Sequence, residues 1–282
     1  MVIKNILAMT NPVFSKGDTF KDLKGIIITS ATMNNKINDF MDTLNVWGFF
    51  AKCPHYVIDN YGAVYQTLPV NYRGRYCGGF ADKNYIQIVV DEPVGIKYTN
   101  RNSFIVPDLK KAKGQCGTVY NTIVDLCTYL CVTFKLDPLI DGTIISQAEG
   151  RERRLCNEYP GINHIWEGLN LEYSMIGLRY DVLKAINEGK GYFHDGIDYS
   201  FVFNPEYYAN SYPDIKQLTK GDKRELFSHF LTFGMKECKK GSEDFDIIVY
   251  KANNPDLDFG TDWSGYYRHY CEIGRFEDRK HV

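Results

Sequence analysis

Only six histidines occur in the 282 residues, and His194, His229, His269 and His281 all lie in the last third. The first two thirds therefore offers only two histidines, His55 and His164, to metal binding or acid–base chemistry. The eight cysteines (53, 77, 116, 127, 131, 156, 238 and 271) contain no CxxC pair and no histidine partner at zinc-finger spacing, so a zinc-finger module is excluded and reduced, partly buried thiols are expected. Net charge is also lacking: 33 basic against 35 acidic side chains leave −2, which gives no footprint for nucleic acid. No apolar run approaches the roughly 18 residues that would span a bilayer. The start, MVIKNILAMTNPVF, is broken by Asn and Pro before a signal-peptide core can form, so synthesis in the cytoplasm without a signal peptide is expected.

Aromatic residues, by contrast, are abundant at 15%, with 21 tyrosines. That richness fits an AT-rich genome as well as a sugar-binding surface. Lys24–Thr32 (KGIIITSAT) has three consecutive isoleucines and predicts a strand covered on both faces, whose end is a usual place for a site. Apolar spacing predicts a helix over Ile37–Trp47, and HYVIDNYGAVYQ (55–66) predicts a hairpin around Asn-Tyr-Gly. A further strand is expected at Tyr85–Val90, then a loop over Pro93–Pro107. Apolar positions 119, 123, 126, 127, 130 and 134 form one stripe of a long helix over about Leu109–Lys135. Strand Thr143–Ser146 and helix Tyr173–Glu188 complete a mixed α/β (α+β) domain, a central β-sheet flanked by helices, over residues 1–190.

The glycine-bearing connector EGKGYFHDGIDYS predicts a linker over 191–200, followed by a small, mainly helical two-repeat module over 201–282. YYANSYPDI (207–215) matches VYKANNPDL (249–257), and HFLTFGMKE (229–237) matches HYCEIGRFE (269–277), giving copies at about 201–241 and 243–280. The recurring aromatics Tyr207, Tyr208, Phe230, Tyr266, Tyr267 and Tyr270 are expected as a repeated core before a sugar-stacking surface.

KGIIITSAT, HYVIDNYGAVYQTLP, RGRYCGG, NYIQIVVDEP, LDPLIDGTIISQAEG and NHIWEGLNLEYSMIGLRYDV occur in that order. Together they resemble the zinc-dependent N-acetylmuramoyl-L-alanine amidases of Gram-positive phages and clostridia, which share the amidase-2 or peptidoglycan-recognition-protein fold. The resemblance implies a zinc ion on two histidines and a third ligand, with an activated water. It also locates the substitutions: Thr29 and Gln147 stand where the family has histidines, and Val89 stands where it has a glutamate. Tyr159 and Gly161 replace a His-x-Asp, and Arg75 and Tyr76 replace a Trp-His. No zinc or other cofactor is therefore expected. His55, Arg75, Tyr76, Gln147, Glu149 and Tyr159 are candidate groove residues. For His55, a hydrogen-bonded core histidine is weighed against a catalytic one, and a relocated ligand set drawn from Cys53, His55, Cys77, Cys156 and Glu158 shows no ligand spacing. The copies at the carboxyl end resemble tandem repeats that follow catalytic domains in Firmicute and phage wall enzymes.

The resemblance implies a phage- or prophage-encoded, catalytically silent protein that binds peptidoglycan or a muropeptide at the cell wall. The alternatives are a virion or tail component with a protein partner or a homo-oligomeric state, and an active amidase with atypical residues. Nucleic-acid binding and membrane insertion are not expected.

Overall fold

A computed structural model describes residues 3–6, 22–31, 53–100, 103–157, 161–188, 191–195, 197–277 and 279–282. The helix expected over Ile37–Trp47, and Tyr159, lie outside the described residues. The chain divides into two compact units, Met1–Cys127 with Leu136–Leu183, and Thr128–Lys135 with Lys184–Val282.

The first unit is a mixed α/β structure on a six-stranded sheet. Its strands are β1 (Ile3–Asn5), β2 (Gly25–Ser30), β3 (Tyr56–Ile58), β4 (Val64–Gln66), β5 (Tyr85–Val90) and β8 (Ile144–Ser146); β6 (Lys97–Tyr98) and β7 (Phe104–Ile105) form a separate two-stranded hairpin. The sheet order is β1-β4-β3-β5-β2-β8. Every pair in it is parallel except β3–β4, which the Asn-Tyr-Gly turn closes as an antiparallel hairpin. β2 and β5 are buried at all six positions, as isoleucine and valine runs without alternation require. Each buried isoleucine there contributes about 1.5–3 kcal/mol.

Among the helices, α1 (Ala81–Asn84) is a single turn leading into β5, and α2 (Leu109–Phe134) is the longest. Asp108 caps α2, accepting from the Lys111 N–H. Its buried residues Ala112, Cys116, Val119, Tyr120, Ile123, Leu126, Cys127, Leu130 and Cys131 recur every three or four positions, a single apolar stripe. Ser146 ends β8 and caps α3 (Gln147–Glu152), while α4 (Asn163–Gly168) and α5 (Met175–Asn187) complete the unit. Among the described residues no helix is long and apolar enough to cross a membrane.

The second unit begins differently from the linker expected at 191–200. Residues β9 (Phe193–His194) and β10 (Ile197–Asp198) pair antiparallel, and Tyr192, Ile197 and Tyr199 are buried in the unit's core. Helices α6 (Pro205–Ser211), α7 (Pro213–Leu218), α8 (Lys223–His229), α9 (Ile247–Asn253) and α10 (Trp263–Glu272) follow. The sequence matches correspond to paired contacts. Asn204 and Asp246, 42 apart, each cap a helix by accepting two backbone N–H groups. Tyr208 Oη lies 3.1 Å from His229 Nδ1, and Tyr250 Oη lies 2.8 Å from His269 Nδ1. A Cβ at Gly234 or Gly274 would collide with the hydroxyl of Tyr208 or Tyr250 respectively. Of the six recurring aromatics, Tyr208, Phe230, Tyr266, Tyr267 and Tyr270 are in this core, whereas Tyr207 is half-buried.

Candidate functional site

The carboxyl ends of parallel strands bring Thr29, Val89 and Gln147 into one row. Thr29 pairs with Val89, which pairs with Val57, and Gln147 follows the Ser146 that pairs with Ile28. Because side chains alternate along strands, Thr29, Val89 and Val57 share one face of the sheet, and Gln147 opens the helix that follows β8. Val57, Val89 and Ala31 form an apolar cluster there, with Ile6, Tyr65 and Tyr76 packed against it.

The row's donors are weak. Thr29 is buried and its hydroxyl donates to the carbonyl of Ser30. Val89 offers no donor atom. Gln147 Nε2 donates to the Asn157 carbonyl at 3.3 Å, while its buried Oε1 accepts no hydrogen bond. Gly161 has no side chain and φ of +72°, and a Cβ there would lie 3.1 Å from the Ala148 nitrogen. Zinc ligands are ionised or imidazole groups, and these positions do not fit a zinc ion. Among the described residues, no group of three His, Cys, Asp or Glu side chains is placed to hold a metal ion.

Of the candidate groove residues, His55, Arg75, Tyr76 and Glu149 make hydrogen bonds within the unit. His55 is completely buried: the Gln87 N–H donates to Nδ1 at 3.0 Å, so Nε2 carries the proton and donates to the Tyr72 carbonyl at 2.8 Å. Burial lowers its pKa to about 4. The ring is therefore neutral at pH 7 with both nitrogens on backbone groups, and it has no free nitrogen to act as a base. Arg75 exchanges backbone hydrogen bonds with Cys53. The Tyr76 N–H donates to Gln87 Oε1, and Gln87 Nε2 donates to Asp82, so β5 fixes this loop through one buried glutamine. Glu149 closes a capping box with Ser146 and takes an ion pair from Arg179 at 2.6 Å; the S-x-x-E spacing is the signal for that role.

A titratable chain missed at the sequence level lies on the opposite side of the strand ends. Ser30 and Val90, neighbours of Thr29 and Val89, face the other way. The Ser30 hydroxyl donates to the Gly161 carbonyl at 3.1 Å. The same carbonyl accepts from His164 Nδ1 at 2.7 Å, leaving Nε2 toward Tyr98 Oη at 2.8 Å. Tyr98 Oη is also 2.8 Å from Glu92 Oε1. Burial raises the Glu92 carboxyl to about 7, helped by neighbouring Asp91 and partly offset by the Tyr98 and Ser30 hydroxyls. Burial also lowers the His164 pKa, and burial followed by Glu92 raises that of Tyr98.

One phenol proton cannot serve both neighbours. With Glu92 protonated at Oε1, its O–H donates to Tyr98, whose own O–H donates to a neutral His164, so both contacts along the chain are made, while the buried Glu92 Oε2 has no partner among the described residues. With Glu92 ionised, the phenol donates to the carboxylate and the His164 Nε2 lone pair loses its donor. The three residues lie 6 and 66 positions apart, and the segment after β5, strand β6 and the first turn of α4 bring them together.

No family model matches the chain, and no curated protein matches it in sequence. Among solved structures, it is similar to the hydrolase AmiA of Staphylococcus aureus in complex with its ligand. That match has 15% identity and a TM-score of 0.48, covering 66% of this chain and 85% of that one. It is also similar to the catalytic domain of XlyA, with 13% identity and a TM-score of 0.44 over 64% of this chain and 99% of that one. The N-acetylmuramoyl-L-alanine amidase LysC from Clostridium intestinale matches at 15% identity and a TM-score of 0.36, covering 60% and 98% respectively.

Proposed function

We propose that this chain is a catalytically silent amidase-like protein that binds peptidoglycan or a wall fragment. The observation that carries the proposal is the row Gln147–Thr29–Val89. It stands at the carboxyl ends of parallel strands, where the family resemblance puts zinc ligands and a glutamate, and it offers an amide, a hydroxyl and a hydrocarbon. A hydrolytic water at pH 7 needs a metal or a base to activate it. Of the two histidines in the family motifs, His55 is committed to backbone groups, and His164 is bonded to the Gly161 carbonyl and to Tyr98 Oη. Binding needs none of these groups, because fold and chemistry are separable. Glu149, Arg75 and Tyr76 support the domain in this account, and the role left to it is recognition at the wall.

Co-sedimentation with purified Gram-positive cell walls tests binding. The protein is expected in the pellet, with no release of L-alanine amino groups above a heat-killed control. Protein left wholly in the supernatant contradicts wall binding, and amino-group release that a chelator abolishes contradicts catalytic silence.

A further inference from the structure

We infer that a cleft within the second unit binds a saccharide carrying a carboxylate. The cleft has a volume of about 360 Å³, within the range of small-ligand sites. It is lined by the last turns of α2, the β9 strand with the residues before it, and α8 with the turn that follows.

Four of its lining residues are tyrosine or phenylalanine. Tyr192 and Phe227 are buried with ring centroids 5.1 Å apart, while half-buried Tyr129 and Phe193 stand 5.0 Å apart with planes inclined by 59°. An inclined aromatic pair suits the C–H surface of a sugar better than a flat base, which would need parallel plates. Hydroxyls line it as well: Thr133 on α2, Ser228 on α8 and Thr232 in the turn that follows.

The charge is one-sided. Among the described residues no acidic side chain lines the cleft, whereas Arg224 does. The Arg224 Nη1 donates to the Thr133 carbonyl. That bond orients the guanidinium, and among the described residues its Nε and Nη2 have no hydrogen-bond partner, which leaves them to an anion. Guanidinium groups pair with carboxylates through two parallel hydrogen bonds. His194 also lines the cleft, but it faces Asp195 at 3.4 Å, so Arg224 is the cation on which recognition depends.

This inference does not depend on the first unit's role. The test is saturation-transfer difference NMR on the full chain with N-acetylmuramic acid and, separately, N-acetylglucosamine, which lacks the lactyl carboxylate. N-acetylmuramic acid is expected to bind about tenfold more tightly. Arg224→Gln is expected to erase that preference while leaving N-acetylglucosamine binding intact, and Phe193→Ala to weaken both sugars, with the unfolding midpoints of both variants close to that of the parent. Equal affinity for the two sugars, a preference that survives Arg224→Gln, or no binding of either at about 10 mM overturns the inference. Wall co-sedimentation by the double variant reports separately on the first unit: a pelleted double variant leaves wall binding by that unit standing, whatever the NMR result.

Discussion

Replacing Glu92 with glutamine should make the protein more stable in alkali and leave it nearly unchanged in acid. In the folded chain the Glu92 carboxyl holds its proton up to about pH 7, against an ordinary value of 4.5. Between those values the folded state binds more protons than the unfolded state, so stability falls as pH rises through this window and levels off above it. At 1.36 kcal/mol per pH unit the gap is worth about 3 kcal/mol. The Glu92→Gln amide would donate to Tyr98 Oη at any pH, and the Tyr98 hydroxyl would then always serve His164 Nε2. His164, whose pKa burial lowers, costs stability on the acid side in both proteins and largely cancels in the comparison. Urea unfolding at about pH 5 should therefore separate the two by less than about 1 kcal/mol. At about pH 8.5 the variant should be more stable by up to about 3 kcal/mol, or about 6–12 °C in the midpoint of the first unit. Parallel pH profiles for parent and variant would refute the assignment of the proton to Glu92.

Other substitutions probe the roles assigned above. His55→Ala strips the Gln87 N–H and the Tyr72 carbonyl of their partner and should cost about 2–4 kcal/mol in urea unfolding; an unchanged midpoint would show that the ring is not a structural tie. Gly161→Ala forces a Cβ into a left-handed backbone against the Ala148 nitrogen and should cost about 1–3 kcal/mol, whereas a neutral result would mean that the loop relaxes freely. Tyr208→Phe and Tyr250→Phe each remove one hydroxyl–imidazole bond and should each lower stability by about 1 kcal/mol. Calorimetry giving one large and one null effect would break the equivalence of the two copies.

What could be seen in the residues alone depended on how local the signal was. The isoleucine run of β2, the YIQIVV of β5, the Asn-Tyr-Gly hairpin and the long helix each announce themselves within one stretch, and each forms where expected. The polar stretch over Pro93–Pro107 hid the β6–β7 hairpin, because two-residue strands carry no periodicity. Glycines made 191–200 resemble a linker, yet Tyr192, Ile197 and Tyr199 bury their side chains; composition registers the turn and misses the alternation. Family position placed Glu149 in a groove, although its spacing from Ser146 was already that of a capping box. The Glu92–Tyr98–His164 chain has no sequence signature, since its contacts are made by tertiary packing.

The central claim is that Thr29, Val89 and Gln147 mark a site without metal chemistry. Elemental analysis of zinc, after expression in zinc-supplemented medium and gel filtration, tests it most directly. The account predicts far less than one zinc per chain, on the order of a tenth or below, since no ionised donor set is present among the described residues to hold it. About one tightly held zinc per chain would contradict it and put an active amidase in its place.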